Sequence, residues 1–312
     1  MEGIVVKSTG SWYKVRAGDG SYYNCRIRGT FRIKGIKTTN PVAVGDRVKF
    51  ELESGRDTGV IREILERKNY IIRKATRLSK ISHIIASNID QAFLIVTLAY
   101  PRTSTGFIDR FLVTTEAYHI PAKIIFNKID IYDDKLRDLL KETIEIYTSA
   151  TYPCFSVSAE TKENLELLKN EMMNKTTLFA GHSGVGKSSI INAIEPGMHL
   201  KTGKLSTQHK KGKHITTFAE MHELSFGGFI IDTPGIKEFG LRDFVKEEVS
   251  ERFPEMRALM WDCKFHNCTH VHEPGCAVKE AVKEGKISET RYRNYLGILQ
   301  DDYFGEKAWD LK

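Results

Sequence analysis

Two patterns of apolar residues divide the chain. In the first, Tyr23, Cys25 and Ile27 alternate with Asn24, Arg26 and Arg28, and Val48, Phe50 and Leu52 alternate with Lys49 and Glu51. A period of two predicts strands with one buried face. Gly20, Gly29, Gly35, Gly45, Gly55 and Gly59 punctuate these runs as turn residues. Several short strands with Gly-bearing turns suit a small barrel, OB-like or SH3-like by pattern alone. The basic stretch from Arg73 to Lys80 reads as a linker. Beyond it the pattern changes. Ala92–Val96, Ala122–Phe126, Thr177–Ala180 and Phe229–Ile231 are short, mostly apolar runs of the kind buried in a parallel sheet. Helices are expected over about 107–119, 134–148, 162–173 and 189–194, which makes this region α/β. Residues 278–300 read as helical with mixed charges.

The ends of these apolar runs carry the chemistry. After Thr177–Ala180 comes Gly181-His182-Ser183-Gly184-Val185-Gly186-Lys187-Ser188, which matches G-x-x-x-x-G-K-[ST]. Such a loop turns backbone N–H groups toward phosphates. Lys187 is placed to reach the β- and γ-phosphates, and the Ser188 hydroxyl to bind Mg²⁺. A helix opening at Lys187, with Ser189 next in it, aims its positive end at the same anion. After Ala122–Phe126 comes Asn127-Lys128-Ile129-Asp130, an N-K-x-D pattern. The Asp130 carboxylate can accept two hydrogen bonds from the N1–H and amino group of guanine, an edge that adenine lacks. Ser158-Ala159, in Phe155-Ser156-Val157-Ser158-Ala159, fits the next guanine contact. After Phe229–Ile231 comes Asp232-Thr233-Pro234-Gly235, a D-x-x-G in which Asp232 serves Mg²⁺ through water and the Gly235 amide senses the γ-phosphate.

The order of these motifs is unusual. A Ras-like chain meets the phosphate loop first and the guanine-reading motif late. Here Asn127–Asp130 precedes Gly181–Ser188, and Thr216-Thr217 and Asp232–Gly235 come after both. This is a circular permutation of a GTPase. It builds the same site because ligands lie beyond the carboxyl ends of parallel strands, whichever strand the chain visits first. Ile236 stands where a Ras-like enzyme has its water-orienting Gln. His214, just before Thr216-Thr217, is the remaining candidate for positioning water, and Thr217 is the second candidate Mg²⁺ ligand.

A third chemistry lies near the C-terminus. Cys263, Cys268 and Cys276 cluster around His266, His270 and His272. Three thiolates and one imidazole make a closed tetrahedral set, the composition of structural rather than catalytic zinc. The spacing leaves the three histidines as competitors for the fourth position. Five cysteines, an odd number with three clustered, speak against a disulfide framework and for a reducing, cytoplasmic setting.

Length and charge refine the picture. With 312 residues, 41% of them hydrophobic, two or three domains with real cores are expected. No run of 18 apolar residues exists and residues 1–30 lack a signal-peptide pattern, so no membrane partner is expected. The formal net charge is +7. Residues 1–80 carry 18 Lys/Arg against 8 Asp/Glu, and the rest 29 against 32. A basic N-terminal module on a nearly neutral body predicts an anionic partner there. Trp12, Tyr13, Tyr22 and Tyr23 among its basic residues suit RNA phosphates and base stacking, or else its core.

In motif order, in the segment Lys211-Gly212-Lys213-His214-Ile215-Thr216-Thr217 and in the cysteine cluster, nearly the whole chain resembles the circularly permuted, ribosome-small-subunit-dependent GTPases of the RsgA (YjeQ) family. The resemblance implies an OB-fold over 1–75, a permuted GTPase domain over 76–245 and a helical zinc module over 246–312. It implies His270 as the fourth zinc ligand, with one Zn²⁺ per chain, and Mg²⁺ bound with GTP. It also implies GTP hydrolysis in late maturation of the small ribosomal subunit, stimulated by that subunit, with rRNA, GTP and GDP as partners of a monomeric chain. Two other readings compete: a P-loop ATPase or kinase, which Asp130 opposes, and an RNA-binding adaptor with a vestigial nucleotide site, which Lys187, Ser188, Thr217 and Asp232 oppose.

Overall fold

The computed structural model describes residues 1–27, 41–55, 57–74, 82–198, 219–232 and 248–300. The alternating N-terminal residues form β1 (Glu2–Ser8), β2 (Tyr13–Ala17), β3 (Tyr22–Ile27), β4 (Arg47–Leu52) and β5 (Thr58–Ile64). Their order is β1-β2-β3-β5-β4, and β4 pairs back onto β1, so the sheet closes into a five-stranded barrel. The β3–β5 pair is parallel and the others antiparallel, which is the OB-fold order rather than an SH3-like one. Val5, Tyr13, Val15, Cys25, Val48, Phe50 and Ile61 fill it. The aromatics divide: Tyr13 is core and Tyr23 packs on Phe50, while Trp12 and Tyr22 are exposed.

A two-stranded ribbon, β6 (Tyr70–Lys74) and β7 (Ser82–Ser87), joins the barrel to the α/β region. Asp46 fixes the joint. Its fully buried carboxylate accepts from Arg67 Nε and Nη2 at 2.6 Å each, from Ser87 Oγ at 2.6 Å and from the Ala43 amide at 2.8 Å. A buried carboxylate is tolerated because every lone pair direction meets a donor.

The apolar runs form the central sheet: β8 (Gln91–Val96), β9 (Ala122–Phe126), β10 (Cys154–Ser156), β11 (Thr176–Ala180) and β13 (Phe229–Asp232), all parallel, with β12 (Glu220–Glu223) antiparallel to β13 and paired on its other side with β1 of the barrel. Strand alternation sends side chains to two cores. Ala92, Leu94 and Val96 of β8 join Ile108, Phe111 and Leu112 of α1 (Thr105–Ala117) and Tyr147 of α2 (Asp134–Ser149) on one face. Phe93 and Ile95 join Leu165, Leu168 and Met172 of α3 (Leu165–Met172) and Ile190, Ile191 and Ile194 of α4 (Lys187–Ile194) on the other. Both faces are covered, which is why Ala92–Val96 of β8 reads as an unbroken apolar run. α3 begins later than the expected 162 because Lys162 and Asn164 take φ of 64° and 60°, left-handed values that an α-helix cannot contain. Val6 and Val44 of the barrel belong to the first core, so barrel and α/β domain share packing.

The region expected to be helical over 278–300 is two helices, α6 (Ala277–Lys283) and α7 (Glu289–Gln300). The break falls at Gly285, whose φ of 74° ends α6 in the manner of a glycine C-cap. With α5 (Pro254–Arg257) they form a third core around Val249, Phe253, Met256, Val278, Tyr295 and Ile298, which also takes in Val113 of α1.

One buried ion cluster ties this module to the α/β domain. Arg291 of α7 donates to Asp109 of α1 at 2.6 Å and twice to Glu255 of α5 at 2.8 and 2.9 Å. Asn294 adds a bond to Asp109 at 2.5 Å. Phe253 lies against the guanidinium, its ring centre 4.7 Å away. Burial raises the Asp109 pKa, an effect that Arg291 opposes. For Arg291, burial works against the charge, but Asp109 and Glu255 outweigh it and hold the pKa above its ordinary value. Removing one partner of such a group strands the other's charge. Arg291→Met should therefore cost roughly 3–5 kcal/mol of stability, read as an earlier urea midpoint by circular dichroism. An unchanged midpoint would mean the cluster is not what docks α7.

Candidate nucleotide site and metal centre

The loops after β8, β9, β10 and β11, and the last residue of β13, meet at one end of the sheet, the end where open α/β sheets bind ligands. The phosphate-type loop leaves β11 at Gly181 and enters α4 at Lys187. Gly181, Gly184 and Gly186 have φ of 141°, 85° and 93°, which side chains rarely adopt. At Gly186 the constraint is also steric, because a Cβ there would collide with the Asn127 side-chain amide. Lys187 Nζ sits within the loop, donating to the carbonyls of Gly181 at 2.6 Å and His182 at 3.1 Å. His182 Nε2 is 2.7 Å from Thr103 Oγ1, and Thr103 in turn accepts from the Thr97 amide at 3.1 Å. The β8–α1 loop thus braces the phosphate-type loop.

Asp232 closes β13 beside Lys187. Burial lowers the lysine pKa and raises the aspartate pKa, and each charge partly offsets the shift of the other. An anion-and-cation pair held at a sheet end in this state suits a ligand that brings both phosphate and a metal ion.

Asn127 links the two halves of the site. Its Nδ2 donates to the Val185 carbonyl of the phosphate-type loop at 2.8 Å. Its Oδ1 accepts from the Ala159 amide at 3.2 Å. Asp130 Oδ1 accepts from Ser158 Oγ at 2.5 Å, and Ser158 Oγ accepts from the Thr161 amide at 3.1 Å. Lys128, at φ of 67°, sends Nζ to the Tyr100 carbonyl at 2.5 Å, and burial lowers its pKa. Sequence reasoning missed Tyr132. Its hydroxyl donates to the Asn127 carbonyl and accepts from the Leu98 amide, both at 2.9 Å, holding the β9 and β8 loops together. A tyrosine five residues past Asn127 in an Asp-Ile-Tyr run was the available signal. Among the candidates, Asn127, Lys128, Asp130, Ser158, Ala159, Gly181–Ser189 and Asp232 gather here. His214, Thr216, Thr217, Gly235 and Ile236 lie outside the described residues.

The cysteine cluster forms a second centre. The donor atoms of Cys263, Cys268, His270 and Cys276 all lie within 4.8 Å of one another. Cys263 Sγ is 3.9 Å from Cys276 Sγ and 3.6 Å from His270 Nδ1, and His270 Nδ1 is 3.4 Å from Cys276 Sγ. Zn–S bonds of about 2.3 Å and Zn–N bonds of about 2.0–2.1 Å in a tetrahedron require edges near 3.8 Å for S–S and 3.6 Å for S–N. The donor set fits zinc. Of the three competing histidines only His270 joins it, whereas His266 and His272 are exposed. His270 sits at φ of 60°, and Tyr292 Oη donates to its carbonyl at 2.7 Å, with Tyr295 Oη on the Thr269 carbonyl at 2.6 Å. The metal loop is therefore strapped to α7. Burial and the neighbouring sulfurs push the Cys268 thiol up to about 12, an unfavourable grouping that a bound cation reverses.

The comparisons with known proteins agree with this geometry. The family model described as RsgA GTPase matches residues 64–242, and that described as RsgA N-terminal domain matches residues 2–61. The chain is 55% identical over 304 residues to the small ribosomal subunit biogenesis GTPase RsgA of Christiangramia forsetii, covering 97% of this chain and 96% of that one. It is 54% identical over 306 residues to the similarly named RsgA 2 of Bacteroides thetaiotaomicron, covering 98% of each. Among solved structures, YjeQ from Thermotoga maritima matches with a TM-score of 0.79 at 37% identity over 96% of both chains. YloQ, described as a circularly permuted GTPase, matches at 0.73 and 32% identity, over 96% of this chain and 93% of that one.

Elemental analysis of the purified chain should find one zinc per molecule. Cys268→Ser should lower that content and make residues 248–300 sensitive to trypsin, since structural zinc contributes free energy directly to its fold. A metal-free chain with a trypsin-resistant C-terminal module would remove the zinc assignment.

Proposed function

The chain belongs to the RsgA GTPase family, and from that membership we propose a GTP hydrolase of small-ribosomal-subunit maturation whose turnover the subunit stimulates. The observation that carries the reading is Asn127, which joins the Val185 carbonyl of one loop to the Ala159 amide of another and so gathers a base site and a phosphate site around one nucleotide.

Each residue has a proposed role. Asp130 reads the guanine N1–H and amino group, with Ser158 holding the carboxylate and Ala159 beside the base, its amide bonded to Asn127. Lys128 is the proposed neighbour of the base plane. The Gly181–Gly186 amides and the α4 N-terminus bind phosphate oxygens, and Lys187 exchanges its two carbonyl partners for the β- and γ-phosphates. Ser188 and Thr217 would hold Mg²⁺, with Asp232 acting through its water and the Gly235 amide toward the γ-phosphate. A bound Mg²⁺ supplies neutralisation of charge building on the leaving phosphate. His214 positions water, because Ile236 cannot. With Ile236 in place of a water-orienting Gln, the small subunit is the proposed partner that supplies the missing alignment.

The domain plan proposed is 1–75 for the barrel, 76–245 for the permuted GTPase and 246–312 for the zinc module, in a monomeric, cytoplasmic protein. Among the described residues no helix is long and apolar enough to cross a membrane. The barrel carries the basic excess and the exposed Trp12 and Tyr22, and is the proposed rRNA-docking surface.

Two experiments test this. Steady-state GTP turnover should be slow alone and rise strongly with purified small subunits, the gain falling as salt is added. Fast turnover without subunits, or no gain with them, contradicts the proposal. Competition titration should show GTP and GDP binding far more tightly than ATP, and Asp130→Asn should lose most of that preference, since a hydrogen bond to a charged group is worth about 1.5–3 kcal/mol. Equal GTP and ATP affinity in the wild type would contradict the assignment of Asp130.

A further inference from the structure

The barrel and the nucleotide domain meet at a second place, away from Asp46. Lys7 of β1 pairs with Glu220 of β12 in the sheet register, and their side chains form an ion pair at 3.3 Å. At the other end of β12, Glu223 accepts from Arg16 Nε at 2.7 Å and Nη2 at 2.6 Å, and from Tyr22 Oη at 3.1 Å. The Arg16 guanidinium also lies 5.8 Å from the Phe229 ring centre, opposite Glu223 in the β12–β13 hairpin. Lys14 stands over the Tyr22 ring at 4.7 Å. Glu220, at the near end of the hairpin, is opposite Asp232. In sequence the hairpin follows the candidate Mg²⁺ ligand Thr217 and ends at Asp232, the first residue of Asp232–Gly235.

Three features make this more than a domain contact. Arg16 offers a carboxylate the same two-pronged donor edge that recognises a phosphate. The site is open to solvent, with the Arg16 and Glu223 side chains 24% and 39% exposed and Tyr22 46% exposed. Lys14, Arg16 and the Tyr22 ring together form a cation, a fork and a stacking face, the set that binds a single-stranded RNA backbone and base.

We propose that Arg16, Lys14 and Tyr22 form an RNA-binding patch that Glu223 occupies as a phosphate mimic, so that RNA docking on the barrel frees the β12–β13 hairpin. The inference rests on the rRNA-docking reading of the barrel and adds the residues and the coupling. RNA phosphate and Glu223 compete for one guanidinium. The competition links what the barrel binds to the strand that ends in Asp232, and by linkage the effect runs both ways.

The test uses the full chain and a short fluorescent single-stranded RNA in low salt. Exposed ion pairs of this kind contribute modestly, so Glu223→Gln should tighten RNA binding by about two- to fivefold. Glu51→Gln removes the same charge from the barrel beside Arg62, away from the hairpin, and should change the affinity less. In an Arg16→Gln background, where RNA binding is weaker, Glu223→Gln should have no further effect. In the wild type, saturating RNA should speed amide hydrogen exchange in residues 220–223. RNA binding that Glu223→Gln leaves unchanged, that Glu51→Gln tightens equally, or that leaves the exchange unaltered overturns the latch alone. If no chain binds RNA, the patch and the rRNA-docking reading both fail, while turnover with subunits still reports separately on the GTPase reading.

Discussion

Asn127 is 1% exposed and hydrogen-bonded at both ends of its side chain and at its carbonyl. Its partners are Val185, Ala159 and Tyr132, which lie on three different loops. In a buried setting an amide cannot leave either end unpaired without a penalty of about 1–3 kcal/mol. The three loops are therefore locked in one relative placement. The collision awaiting a side chain at Gly186 belongs to the same constraint, because the loop passes close enough to Asn127 to be held only if position 186 has no Cβ. Base reading and phosphate binding are separate motifs in sequence, and this one side chain makes them one site.

The permuted order imposes a second demand. In sequence the chain runs on from Asp232 to the C-terminal module, which has to be fixed against the nucleotide domain. That module is anchored at both of its faces. Arg291 grips Asp109 on α1 in a dry cluster, and Tyr292 and Tyr295, one and four residues later on α7, hold the metal loop through the carbonyls of His270 and Thr269. One helix thus connects the metal centre to the nucleotide domain.

The sheet and its loops were legible because burial on both faces leaves an unbroken apolar run, Ala92–Val96, in β8 and because phosphate and guanine chemistry leave short motifs with fixed spacing. The barrel order was not legible, since alternation gives strands but not their neighbours. The parallel β3–β5 pair is set by tertiary packing. Spacing left three histidines around the cysteines, and only the backbone turn at His270 brings one imidazole among the sulfurs. The Asp109–Glu255–Arg291 cluster was hidden because its members are far apart in sequence and charged residues read as surface. Tyr132 was hidden because a tyrosine in a turn carries no sign of where its hydroxyl points. The start of α3 was misplaced because the left-handed Lys162 and Asn164 have no glycine to betray them.

The account stands on Asn127 uniting the base and phosphate loops, and the affinity of the full chain for GDP measures that union. Asn127→Ala removes no atom assigned to touch the phosphates, yet it frees the Val185 carbonyl and the Ala159 amide. With about 1–3 kcal/mol at stake for each, GDP affinity should fall by at least about tenfold. An Asn127→Ala chain that binds GDP within about twofold of the wild type, a difference well under 1 kcal/mol, would contradict the claim that this residue assembles the site.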